Sequence, residues 1–189
     1  MARVVVTEFI SLDGVVEDPG GVEGFEHGGW SFEFERGDEG NEFKTGETME
    51  AHGLLLGRVT YEAFADSWPE REGEFADKFN NMPKYVVSST LSDPQWGNTT
   101  VLDGDPAEEV AKLREQELDG HLIVHGSASL VQTLLEHDLV DELRLMVFPV
   151  VLGKGKTLFG STADKRKFKL TECRSVGEGV VTLVLERDS

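Results

Sequence analysis

The sequence predicts one α/β domain over residues 1–189, built on a mainly parallel central sheet with an antiparallel hairpin at its C-terminal edge. Three observations carry this. Short apolar, β-branched runs alternate with helical stretches as far as about Val140, which is the pattern of a parallel sheet with crossover helices. After Val140 only strands follow, and Gly177-Glu178-Gly179 marks a hairpin. The chain has 189 residues, 39% of them hydrophobic and eleven of them Phe, which supplies one core but not two. No Pro/Gly/Ser linker divides it.

The elements follow in order. Arg3 to Ile10 is apolar on both faces, as a buried parallel strand is. The segment Pro19 to Trp30 is Gly-rich and predicts a long loop of the kind that covers a site. Leu54 to Leu56, Tyr85 to Val87, Thr99 to Leu102 and Leu122 to Val124 are further strands. Asp105-Pro106 is a cap followed by proline at the first helical position, and Ala107, Val110, Ala111 and Leu118 then face a core. After Gly126 a second helix carries the stripe Leu130, Val131, Leu134 and Leu135. Leu143 to Leu152, Phe168 to Arg174 and Val180 to Glu186 complete the sheet.

Composition narrows the function. With 18 Lys plus Arg against 36 Asp plus Glu, the net charge is −18, which disfavours nucleic acid and anionic membranes as partners. Basic residues concentrate only from Lys154 to Arg174, where a solvated hairpin outweighs a polyanion site. No apolar stretch approaches the ~20 residues of a membrane span, and the N-terminus lacks a signal-peptide layout, so a cytoplasmic protein is expected. A single Cys173 excludes a disulfide framework and a Cys-rich metal site. The five histidines show no metal-ligand spacing, and no metal is expected.

Two strand-to-helix junctions carry the strongest chemical signal. One is Leu56-Gly57-Arg58-Val59-Thr60, with a cation and a hydroxyl at a helix N-terminus. The other is Val124-His125-Gly126-Ser127-Ala128, a run of small residues. Helix N-termini present free N–H groups and partial positive charge, so each is a candidate phosphate seat, and two in one sheet suit a dinucleotide. Singly, either is an ordinary tight turn. Ser88-Ser89-Thr90 places three hydroxyls at a strand's carboxyl end, where open α/β sheets bind ligands, although such residues also cap strands. Neither G-x-G-x-x-G after the first strand nor a P-loop is present.

Taken in order, Gly57-Arg58-x-Thr60-Tyr61, Val87-Ser88-Ser89-Thr90-Leu91 and Ile123-Val124-His125-Gly126-Ser127 resemble the three cofactor-binding segments of the dihydrofolate reductase fold. Ser11-Leu12-Asp13-Gly14 and the stretch Phe148 to Phe159 are similar to the reductase domain of bifunctional riboflavin-biosynthesis deaminase-reductases and their stand-alone relatives. The resemblance covers nearly the whole chain. It implies a three-layer dihydrofolate reductase-like fold, an NADPH-dependent reductase of a small heterocyclic or sugar-phosphate-linked substrate, and a homodimer formed through the Phe148 to Phe159 region. By position it implies Arg58 and Ser89 at the adenosine 2′-phosphate and Thr60 at the pyrophosphate. Gly57, Ser88, Thr90 and His125 complete the cofactor set with Gly126, Ser127 and Ala128, and an unusual peptide is implied just before Gly126.

Candidate substrate contacts are Asp13, Trp30, Phe148 and Lys154, and Asp13 is the candidate proton donor. Beside these stand plainer readings: Asp13 as a turn residue, Trp30 as packing, Lys154 and Lys156 as solvated charges. The helical acids Asp38 to Glu42 are expected in solvent. Met82 stands where folate reductases keep an arginine for the glutamate tail, so folate is not the expected substrate. A true dihydrofolate reductase and a non-catalytic nucleotide-binding protein remain the alternatives.

Overall fold

Strand β1 (Val4–Ser11) is buried along nearly its whole length, which places it inside the sheet rather than at an edge. In the computed structural model, which describes residues 1–160 and 164–188, it is followed by a 3-10 turn (Trp30–Glu33), α1 (Gly37–Met49), β2 (Ala51–Gly57), α2 (Arg58–Ser67) and α3 (Glu74–Asn81). Next come β3 (Lys84–Val87), β4 (Thr99–Leu102), α4 (Pro106–Arg114), β5 (His121–Val124) and α5 (Ala128–Glu136). The chain ends in β6 (Glu142–Phe148), β7 (Phe168–Val176) and β8 (Val180–Arg187).

The strands form one sheet in the order β4-β3-β2-β5-β1-β6-β8-β7. The six from β4 to β6 are mutually parallel, and β7 turns back into β8, which pairs antiparallel with both β6 and β7. Side-chain alternation sorts the core into layers. Val4, Val6, Leu122 and Val124 pack with Val110 of α4 and Leu130, Val131 and Leu134 of α5. Ile123, Leu54 and Leu56 point the other way, against Tyr61 of α2, Phe79 of α3 and Trp96. No helix among the described residues is long and apolar enough to cross a membrane.

Local chemistry explains where the elements stop. Asp105 caps α4 by accepting from the N–H groups of Ala107 and Glu108, with Pro106 at the first helical position. That helix ends at Arg114, so Leu118 packs from the loop beyond it. Strand β6 ends at Phe148, four residues short of the expected Leu152, because Pro149 has no N–H to donate. Helix α1 is longer than its acidic start suggests, and its Glu47 is buried.

Candidate functional site

The β1–β5 ladder ends at Val6 and Val124, whereas β1 stays paired with β6 as far as Ser11. Beyond Val6 the sheet therefore opens between β1 and β5, at the carboxyl ends of β2, β3 and β5, where open α/β sheets place their ligands. A cavity of about 1290 Å³ occupies the opening.

Both strand-to-helix junctions meet here. The Gly57 N–H donates to the Gly126 carbonyl at 3.0 Å. A Cβ on Gly57 would lie 2.4 Å from Ser127 Oγ and 3.0 Å from its backbone nitrogen, so the two turns approach this closely only because residue 57 is glycine. Gly126 has φ +112°, and a Cβ there would stand 3.0 Å from Thr60 Oγ1. The close backbone approach is thus made by Gly126, with His125 before it. The peptide between Gly126 and Ser127 is cis, one position later than the resemblance implied.

The cavity's polar rim suits an anion. Ser127 caps α5 by accepting from Leu130 N–H, but no side chain among the described residues caps α2, whose first N–H groups stay available. Arg58 sits on this first turn, half exposed, paired with Glu62 one turn on at 2.9 Å. Ser88 Oγ accepts from the N–H groups of Thr90 (3.2 Å) and Leu91 (3.0 Å), which folds the end of β3 so that Ser89 and Thr90 also border the cavity. Every residue assigned to the cofactor in the three segments lines this one cavity.

The remaining walls are of two kinds. Phe64, Trp68, Phe75 and Phe79 form an aromatic end, where the His125 ring stands 5.8 Å from Phe64 and 5.7 Å from Phe79. His125 Nε2 is buried without a partner among the described residues, and burial holds its pKa well below the ordinary value, so the imidazole is neutral. Toward β1 the wall contains Glu8, Phe9, Arg36 and Lys44. Lys44 Nζ donates to Thr7 Oγ1 at 2.7 Å and pairs with Glu47, which itself accepts from Thr7 at 2.8 Å. Glu8 is 8% exposed, and its Oε1 has no hydrogen-bond partner among the described residues. Burial raises its pKa to about 8 against the opposing pull of Lys44, with Glu23 and Glu47 adding to the rise. Sequence reasoning passed over Glu8. The signal was present, a carboxylate inside an otherwise apolar buried strand.

The substrate candidates are placed differently from expectation. Asp13 does not border the cavity. Its carboxylate accepts from Ser11 Oγ (2.6 Å), Gly153 N–H (2.8 Å) and Leu152 N–H (3.1 Å), and these bonds, the Ser11 hydroxyl first, hold its pKa at about 2. It is a turn lock, and a group so firmly ionised is a poor proton donor. Trp30 and Phe148 are core residues, 1% and 0% exposed, packed edge to face at 5.4 Å. Trp30 Nε1 donates to the Glu17 carbonyl. Lys154 pairs with Glu26, and Lys156, which does border the cavity, with Glu17 at 3.3 Å. Both lysines thereby tie the basic segment to the acidic loop. Met82 is buried at the end of α3.

The eight-stranded mixed sheet, mostly parallel with antiparallel C-terminal strands, has the dihydrofolate reductase-like α/β fold, as its likeness to solved structures shows. The chain belongs to the RibD C-terminal domain family, whose model matches residues 2–182 and whose members are reductases. It is 31% identical over 136 residues to the Bacillus subtilis (strain 168) protein YyaP, covering 69% of this chain and 71% of that one. A Shewanella sp. PV-4 protein assigned to riboflavin biosynthesis shares the fold with TM-score 0.78 at 21% identity over 100% of both chains. Enterococcus faecalis dihydrofolate reductase complexed with NADP(H) shares it with TM-score 0.59 at 14% identity, over 99% of this chain and 97% of that one.

Proposed function

We propose that this protein is an NADPH-dependent reductase that transfers hydride to a small heterocyclic or sugar-phosphate-linked substrate of the type of 5-amino-6-(5-phosphoribosylamino)uracil. The observation that carries the reading is the convergence, in a chain of a reductase family, of an uncapped helix N-terminus, Arg58 and the Ser89 and Thr90 hydroxyls on one cavity. These donors fit a phosphorylated dinucleotide, because arginine beside hydroxyls and free N–H groups is a sound receptor for phosphate.

When bound, NADPH supplies the hydride. Arg58 and Ser89 hold the 2′-phosphate, and Thr60 with the first turn of α2 holds the pyrophosphate. Gly126, Ser127 and Ala128 let the backbone pass close beside the cofactor. Of Lys154 and Lys156, it is Lys156, which borders the cavity, that meets the substrate phosphate. Leaving Glu62 costs Arg58 little, because an exposed pair of this kind contributes well under ~1 kcal/mol.

Arg58→Ala is expected to weaken NADPH binding by roughly 10- to 100-fold, the worth of a charge-assisted contact of ~1.5–3 kcal/mol, and NADH binding far less. Calorimetric titration of both cofactors checks this. Equal loss for the two would remove Arg58 from the 2′-phosphate. NADPH consumption with the ribosylaminopyrimidine phosphate then tests the substrate class, and tight cofactor binding without turnover of any substrate would mark a non-catalytic binder. A homodimer is proposed through the segment after Phe148, which exposes Val151 (67%) and Phe159 (48%) and whose Val150 carbonyl accepts from the N–H of exposed Leu12 at 2.8 Å. Light scattering is expected to return twice the chain mass, and a monomer would overturn this contact.

A further inference from the structure

We infer that Glu8 is the catalytic proton donor of the cavity, its carboxyl giving a proton to the nitrogen or oxygen of the substrate double bond whose carbon receives hydride. The inference rests on the reductase reading above and adds a residue and a step to it.

Geometry comes first. Where β1 and β5 part, the Glu8 side chain is left facing the opening, and Oε1 is buried without a partner among the described residues. Buried polar atoms are nearly always satisfied, so an orphaned carboxyl oxygen on a cavity wall is completed by whatever fills the cavity. Oε1 lies beside Gly126, since a Cβ built on that residue would stand 3.5 Å from it, an ordinary van der Waals contact. The carboxyl head thus sits beside the turn that the cofactor is proposed to pass.

The surroundings keep the proton on. Lys44 and Glu47 reach Glu8 from α1, Glu23 from the loop after β1, and His125 stands at the end of β5. The Lys44 ammonium is engaged by Thr7 and Glu47, the two carboxylates oppose a third charge, and His125 is neutral. With burial as the largest influence, Glu8 stays protonated up to about pH 8.

The step balances. Hydride brings two electrons to carbon, the π pair of the C=N or C=O bond moves to the heteroatom, and that atom takes the Glu8 proton. The Glu8 carboxylate then regains a proton from water, so each turnover consumes one NADPH and one proton.

The test uses the full chain labelled with carboxyl-13C glutamate. Titrated by NMR without ligand, it is expected to show one carboxyl signal moving near pH 8 that Glu8→Gln lacks. With the ribosylaminopyrimidine phosphate and NADPH, wild-type kcat/KM is expected to fall above about pH 8. Glu8→Gln is expected to keep the wild-type NADPH Kd and lose about 10²- to 10⁴-fold in kcat, with partial recovery in Glu8→Asp. Titration of Glu8 at its ordinary pKa of 4.5, or a Glu8→Gln enzyme as fast as wild type, overturns the inference while NADPH binding keeps the reductase reading. Failure of wild type to bind NADPH strikes the reductase reading itself, and the proton-transfer step with it.

Discussion

Glu8→Gln is expected to stabilise the protein above pH 8, by about 5 kcal/mol at most. Folding carries the Glu8 carboxyl from its ordinary pKa of 4.5 to about 8. Between those values the folded protein holds a proton that the unfolded chain has released, so stability falls as pH rises through this window and levels off beyond it. At ~1.4 kcal/mol per pH unit the whole window amounts to about 5 kcal/mol. A neutral amide of the same shape does not ionise, and the variant escapes the loss. Urea unfolding of both proteins near pH 5 and pH 9 is expected to show nearly equal stability at the lower pH and a clear advantage for Glu8→Gln at the higher. Parallel stability curves across the window would contradict the burial of an ionisable Glu8. A variant that gains stability while losing turnover is what a costly group kept for chemistry produces.

Phe148→Ala is expected to cost about 3–5 kcal/mol of stability, as truncation of a fully buried aromatic does. The ring is 0% exposed and packs on Phe9 at 5.3 Å, Trp30 at 5.4 Å and Phe34 at 6.1 Å, in a cluster with Met146, Val176 and Val180. Its loss leaves a cavity where α1, β6 and the C-terminal hairpin come together. Thermal unfolding is expected to fall by roughly 10 °C. Phe32 supplies the contrast, because it borders the cavity and is 76% exposed. Phe32→Ala should leave stability within ~0.5 kcal/mol of wild type. If Phe148→Ala instead kept its stability and raised only KM, Phe148 would be a substrate contact after all.

The parallel sheet was legible because its strands are short, apolar on both faces and separated by helices with clear caps, as at Asp105-Pro106 and after Gly126. The two glycine junctions were legible for a local reason, since small residues between a buried strand and an amphipathic stripe have few other uses. What escaped the sequence depends on tertiary placement. Leu12-Asp13-Gly14 has the same letters whether Asp13 faces a substrate or locks a turn, and only the N–H groups of Leu152 and Gly153, some 140 residues away, decide it. Trp30 follows a Gly-rich loop and Phe148 ends a strand, positions that suit a substrate contact as well as a core. Glu8 was masked by its neighbours, because whether a carboxylate in an apolar strand is paired or free depends on where β1 loses its partner.

The most direct test of the central claim is titration of the 189-residue protein with NADPH and with NADH, following quenching of tryptophan fluorescence; Trp68 lines the cavity and reports its filling. The account predicts saturable quenching with NADPH bound at least roughly tenfold more tightly than NADH, the share of a charge-assisted 2′-phosphate contact. Absence of binding by either cofactor at millimolar concentration would contradict it.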